Sequence, residues 1–325
     1  MTELGGQNTR PRDTQQADVA TVPRFANIAT FMRVAQSGTA EGLDVAMFGV
    51  PFDLGSSFRS GSRHGPSEIR EMSRLIREVN YATGTAPFQH CRVADIGDAP
   101  VNSLDVDESL SAIETFVADV VACGARPLAA GGDHTITLPI LRALAQDGPL
   151  ALVQIDAHSD TQDVMLGRDV ANGTVFRRAI EEGLLEPRLC FQIGIRGTLF
   201  KADELAWARD AGVTIFDMDD FEDLGAQEIT ARMVGAIKDH ATYLTFDVDA
   251  LDPAVAPGTG GLEPGGLSYR DALKLMHGIR GLNLAGADVV EICPPLEPGN
   301  LTAMVAANIM FEELCLLAEA KDRST

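Results

Sequence analysis

The stretch that decides the fold is LALVQIDAHSD, Leu150 to Asp160: an apolar run that breaks abruptly into aspartate, histidine and aspartate. A nearly continuous apolar run of this length, rather than an alternating one, predicts a strand buried on both faces, the kind found in parallel sheets. Working outward, the same unit recurs as LDVAMFGV, CRVADIG, RPLAAGG, RLCFQIGI, GVTIFDM, ATYLTFDVD and AGADVVEI. Segments with helical spacing lie between these runs, among them SLSAIETFVADVVACG, TLPILRALAQ, ELAWARDAG and YRDALKLMHGI. Strands alternating with amphipathic helices predict an α/β protein of three layers, α/β/α, with a mostly parallel central sheet of about eight strands. No linker, low-complexity block or repeat divides the chain, so residues 23–325 are expected to form one catalytic domain. Residues 1–22 are polar, lack an apolar core and are expected to be a flexible tail rather than a signal peptide.

In open α/β sheets, ligands gather beyond the carboxyl ends of the strands. Four runs end there in acidic residues or histidine: AAGGDH, VQIDAHSD, LTFDVDALD and VVEICP. In an extended segment, Asp156, His158 and Asp160 project to one side, and so do Asp247 and Asp249. His134 follows two glycines, Gly131 and Gly132, which permit a sharp turn and a close approach. These carboxylates and imidazoles exceed the four ligands of a tetrahedral zinc and suit two divalent ions sharing carboxylates, with oxygen-rich ligation favouring manganese. Without metal, so many carboxylates in one place would cost several kcal/mol in repulsion and desolvation.

Composition sets outer bounds. A formal net charge of −21 argues against nucleic acid or an anionic membrane surface, which need clustered Lys and Arg, and allows attraction of metals or a cationic substrate. The five scattered cysteines form no CxxC pair, and no run of about eighteen apolar residues suggests a membrane span. A cytoplasmic protein is expected.

GGDH, DAHSD and TFDVDALDPAVAPGTG together resemble the ureohydrolases, the family of arginases, agmatinases and guanidino-acid hydrolases. The resemblance runs from Pro23 to about Leu317. PRFANIATFMR, RSGSRHGPSEIR, ATGTAPF and VADIGD are most similar to bacterial guanidinobutyrase and guanidinopropionase sequences. It implies an arginase-like fold and a hydrolase releasing urea and an amine from a small cationic guanidino compound, foremost 4-guanidinobutanoate or 3-guanidinopropanoate. It implies one ion on His134, Asp156, Asp160 and Asp247 and another on Asp156, His158, Asp247 and Asp249, with manganese first and nickel as the alternative. Asp160 would also hold the attacking hydroxide in line, and Glu291 would pair with the guanidinium by two parallel hydrogen bonds. A trimer or hexamer is expected, with a heteromer containing a related chain as the variant.

Three stretches depart from the family pattern. Asn172-Gly173-Thr174, in VANGT, stands where the family has His-Gly-Thr, and asparagine carries no proton near pH 7. Gly261-Leu262 replace Thr-Pro in GTGGLEPGG, and Glu297 replaces an aspartate. Asn172, Gly261 and Leu262 are therefore candidate substrate contacts, and Asn172 a candidate catalytic residue. The departures point to altered substrate chemistry: agmatine, guanidine or a biguanide, or else a weakly active metal-binding subunit. Arg59, Arg63 and Arg168 are candidates for reading a substrate carboxylate.

Overall fold

The computed structural model describes residues 16–18 and 20–324. In chain order the elements are β1 (Val45–Val50), α1 (Gly65–Met72), α2 (Pro87–His90), β2 (Val93–Asp98), α3 (Val106–Ala122), β3 (Arg126–Gly131), α4 (Thr137–Leu144) and β4 (Leu150–Ile155). They continue with α5 (Val175–Glu181), β5 (Leu185–Ile195), α6 (Ala206–Ala211), β6 (Thr214–Asp217), α7 (Met218–Ile237), β7 (Ala241–Asp247), α8 (Tyr269–Gly278), β8 (Asn283–Val290) and α9 (Leu301–Ser324). Each expected apolar run supplies one strand. The eight strands form a single sheet in the order β2-β1-β3-β8-β7-β4-β5-β6, and every pair is parallel.

Helices cover both faces because the strands are apolar on both. Along β7, Leu244 and Phe246 join the core cluster that includes α9, while Tyr243 joins the opposite cluster with Leu138 of α4 and Phe176 of α5. Capping sharpens the helix starts. Asp105 accepts a hydrogen bond from Glu108 N at 3.0 Å ahead of α3, and Ser268 accepts one from Asp271 N at 3.1 Å ahead of α8. Helix α9 is long and apolar enough over Leu301–Lys321 to cross a bilayer, but 83% of its most apolar window is buried inside the fold. It is a core helix.

The expected tail, 1–22, falls mostly outside the described residues. Of its described part, Gln16 is buried, and its Nε2 donates to Met32 O at 2.7 Å and to Ile76 O at 3.0 Å.

The sheet order has one consequence for the site. The four strands whose ends carry the acidic and histidine residues, β3, β8, β7 and β4, are contiguous at the middle of the sheet. Their carboxyl ends therefore open onto one place.

Candidate metal centre and active site

His134 reaches the centre through a tight turn. A Cβ on Gly132 would lie 2.4 Å from Phe52 O and 2.6 Å from Val50 O, so only glycine lets β3 and the chain after β1 approach this closely. The next residue, Asp133, is fully buried. Its Oδ1 accepts from Thr135 N at 2.9 Å and its Oδ2 from Gly55 N at 2.7 Å, which ties the Gly55–Arg59 loop to the start of the turn.

His134 is buried, and its Nε2 pairs with Thr245 Oγ1 at 2.9 Å. That leaves Nδ1 facing three carboxylate oxygens: Asp160 Oδ2 at 3.0 Å, Asp156 Oδ2 at 3.2 Å and Asp247 Oδ2 at 3.4 Å. Nδ1 has no hydrogen-bond partner of good geometry. A ring nitrogen aimed at converging carboxylates requires positive charge between them, either a proton or a metal ion. The donor set, one imidazole nitrogen with several hard oxygens and the far ring nitrogen held by a hydroxyl, fits a divalent ion.

A second group shares Asp156 with the first. His158 Nδ1 lies 3.0 Å from Asp249 Oδ2 and 3.7 Å from Asp156 Oδ1. Within each of the sets His134–Asp156–Asp160 and Asp156–His158–Asp249, one ligand atom per residue falls within 4.8 Å of the others. Two adjacent sets with a common carboxylate suit two ions.

The route by which these residues converge differs from the extended ladder expected of the sequence. Strand β4 stops at Ile155, and Asp156–Asp160 form a turn that ends with Asp160 at φ 50°. The turn is closed by Asp156 Oδ1, which accepts from His158 N at 2.7 Å. Likewise β7 ends at Asp247, whose Oδ1 accepts from Asp249 N at 2.8 Å at the head of a 3-10 turn, Val248–Ala250. A carboxylate that caps its own chain two residues on bends the backbone out of the strand. Turning, not alternation, brings the groups together.

Glu291, at the end of β8, also has a positive φ, 64°, a strained conformation for a residue other than glycine. Its Oε1 accepts from His134 N at 2.9 Å and from Asn172 Nδ2 at 3.2 Å. Asn172 is placed by its own N–H, which donates to Gly55 O at 3.2 Å.

The electrostatics are those of a crowded acidic site. Burial, and then the charge of Asp156, push the Asp160 carboxyl up to about 6 against the pull of His134. Burial and the charge of Asp133 push Glu291 up to about 8. Burial and the neighbouring Asp249 and Asp156 raise Asp247 well above the ordinary range. Burial opposes charge on both histidines, but the surrounding carboxylates win and raise His134 and His158. Asp156 alone is lowered, because bonding to His134 and the charges of both histidines outweigh its burial.

A cavity of about 250 Å³ opens over these groups. Its walls include His158, Asp160, Asn172, Asp247, Asp249 and Glu291. Gly261 is also in the wall, and a Cβ there would lie 2.9 Å from His158 Cε1. Leu262 does not line the cavity and is 36% exposed. Of the three candidate arginines, only Arg59 lines it. Arg63 is committed to Asp53, and Arg168 faces Asp107 at 3.9 Å outside the cavity wall. Arg196 is in the wall but is consumed by the carbonyl oxygens of Gly194, Asp249, Ala250, Leu251 and Glu263. Sequence reading missed Asp133, Thr245, Glu263 and two glutamines, Gln154 and Gln192. The signal for the glutamines was a polar residue inside the apolar runs LALVQID and RLCFQIGI.

A parallel α/β sheet that gathers carboxylates and imidazoles in paired sets over a cavity at its carboxyl edge defines a metal-dependent hydrolase. The chain belongs to the arginase family, whose model matches residues 43–315. It is 50% identical to guanidinopropionase of Pseudomonas aeruginosa over 95% of this chain and 98% of that protein. It is 43% identical to guanidinobutyrase of the same organism over 91% of this chain and 94% of that one. Among solved structures, proclavaminate amidinohydrolase from Streptomyces clavuligerus superposes with a TM-score of 0.89 at 37% identity, covering 92% of this chain and all of that one. The family's fold implies a binuclear divalent metal centre, and this chain has two His/Asp sets that could hold metal ions.

Proposed function

We propose that the protein hydrolyses a guanidino acid, 3-guanidinopropanoate or 4-guanidinobutanoate, to urea and the corresponding amino acid. The observation that carries this reading is Glu291, a buried carboxylate in the cavity wall beside the paired His/Asp sets, positioned to take a planar guanidinium. The kinship with guanidinopropionase and guanidinobutyrase supports the acid tail. His134, Asp156, Asp160 and Asp247 would hold one ion and Asp156, His158, Asp247 and Asp249 the other, with manganese preferred for this oxygen-rich set. When bound, such a pair supplies a nucleophile at neutral pH by lowering the pKa of water to about 7.

The remaining work belongs to side chains. Glu291 binds and orients the guanidinium, and the backbone N–H of His134 and the Asn172 amide hold Oε1 in place. Water adds to the central carbon and the bond to the alkyl nitrogen breaks. Asp160, in the cavity wall beside the paired sets, takes the proton of the attacking water and returns it to the departing amine. Asn172 cannot carry that proton, so its part is to orient Glu291. Arg59, the cavity-wall arginine whose side chain has no hydrogen bond or ion pair among the described residues, reads the substrate's own carboxylate. Replacing it, Arg59→Met, raises KM for guanidino acids and leaves alkylguanidines without a carboxylate unaffected.

Asn172 favours a second reading: the same chemistry on agmatine, guanidine or a biguanide with nickel, or in a subunit that works beside a related chain. Protein loaded separately with manganese and nickel is incubated with guanidino acids, agmatine, guanidine and biguanides, and the products are followed by mass spectrometry. Fast urea release from one guanidino acid supports the first reading. Turnover confined to the other substrates transfers the function to the second, and silence with both metals points to the paired subunit. A cytoplasmic location and a homotrimeric or hexameric assembly complete the proposal.

A further inference from the structure

Two glutamines lie side by side where apolar residues would be expected. Gln154 of β4 and Gln192 of β5 pair across the ladder, at 0% and 1% exposure. Gln154 Nε2 donates to Asp156 Oδ2 at 2.7 Å and to His158 O at 3.0 Å. Gln192 Nε2 donates to Gln154 Oε1 at 2.7 Å and to Ser159 O at 2.7 Å.

The direction of both amides follows from their partners. The Asp156 carboxylate and the carbonyls of His158 and Ser159 only accept, so each glutamine must turn its NH2 toward them. Gln154 Oε1 is then left facing Gln192, which has a proton to give. Gln192 Oε1, by contrast, has no partner. A buried acceptor without a donor loses its hydration for nothing in return, which marks the NH2 contacts as the ones the fold preserves.

We propose that Gln154 and Gln192 are positioning residues for the metal centre: Gln192 orients the Gln154 amide and holds the Ser159 carbonyl, while the Gln154 amide holds Asp156 Oδ2 and the His158 carbonyl in the geometry that two ions require. The inference rests on the reading of Asp156 as the shared ligand. It adds that this ligand's orientation is set from β5, by a residue that touches no ligand side chain itself. A hydrogen bond fixes which lone pairs a carboxylate presents, and the loss of such a partner typically weakens metal binding about 10–100-fold.

The test is manganese binding to metal-free protein by titration calorimetry, with paramagnetic resonance to separate coupled pairs from single ions. Gln154→Met is expected to weaken binding about 10–100-fold and to replace the coupled-pair signal by that of isolated ions. Gln192→Met is expected to weaken it by less, in the same direction, and to cost less on the Gln154→Met background than it does alone. Wild-type affinity and signal in Gln154→Met, or losses that multiply in the double variant, overturn the inference. Asp156→Asn keeps the two readings apart: if it binds manganese normally, the metal assignment itself is wrong. A measurement on the unaltered protein guards against variants that fail to fold. The Gln154 side-chain amide is expected to resist hydrogen exchange and to shift on titration with diamagnetic zinc, and an unshifted, freely exchanging amide refutes the relay.

Discussion

Chelating the metals is expected to make the protein's stability depend on pH in one direction only. In metal-free protein the Asp160 carboxyl is raised to about 6 from 3.8, Asp247 is raised well above its ordinary range, and His134 and His158 are raised as well. For a raised carboxyl the folded state binds more protons than the unfolded state between the two pKa values, so stability falls as pH rises through that interval and stays low above it. A raised histidine acts in the same sense. Its contribution is fully present below about 6.5 and is lost as pH climbs through the folded value. Asp156, the lowered one, acts below about pH 4 and does not enter the comparison. The rise at Asp160 alone corresponds to about 3 kcal/mol by pH 8, most of it already lost below pH 6, so the change above pH 5.5 comes chiefly from Asp247 and the two histidines. Urea midpoints of chelated protein at pH 5.5 and 8.5, set against metal-loaded protein, measure the effect. Chelated protein should lose stability over that interval, while loaded protein, its carboxylates neutralised by the ions, should change little. Equal slopes with and without metal would refute the reasoning that these groups crowd one another for the sake of a cation.

Three further outcomes follow from the geometry. Glu291→Gln removes the charge from the proposed guanidinium clamp and should cost about 1.5–3 kcal/mol in kcat/KM, roughly 10–150-fold, with manganese stoichiometry unchanged. Asp53→Asn removes the charge beside Arg63 and leaves one oxygen for two donors, Arg63 Nε and the Gly61 N–H, and should lower unfolding stability by about 1–3 kcal/mol, read from the urea midpoint. Gly132→Ala places a methyl against Phe52 O and Val50 O and should destabilise the protein by about 3 kcal/mol, while the same change at open Gly299 should be close to neutral by melting temperature.

The sheet was legible because burial on both faces leaves each strand little choice of residue. Every apolar run became a strand, and the polar residues beyond four of them became the site. The helices were less evenly visible. α7 is interrupted at Gly225, φ 74°, which breaks its periodicity, and α9 is apolar around most of its circumference because the core surrounds it. Strand order was hidden, since nothing local says that β8 enters between β3 and β7. Within the site, residue types were readable but backbone geometry was not. The turn at Asp156–Asp160 and the positive φ of Asp160 and Glu291 depend on contacts with distant segments, such as Glu291 Oε1 with His134 N. The choice among Arg59, Arg63 and Arg168 likewise turned on ion-pair partners outside the motifs, Asp53 for Arg63 and the distant Asp107 for Arg168.

The strand order also sets a schedule. β8 is the last strand made and takes a central place, with β3 on one side and β7 on the other. A growing chain that has emitted His134, the Asp156–Asp160 turn and Asp249 still lacks the strand that holds β3 against β7. His134 therefore cannot meet Asp156 or Asp247 until nearly the whole polypeptide is available. Contacts so far apart in sequence form late, because the intervening loop must close first. The centre is in effect a completion mark: a truncated or half-folded chain offers scattered carboxylates but no paired cradle, and only the finished molecule competes for metal.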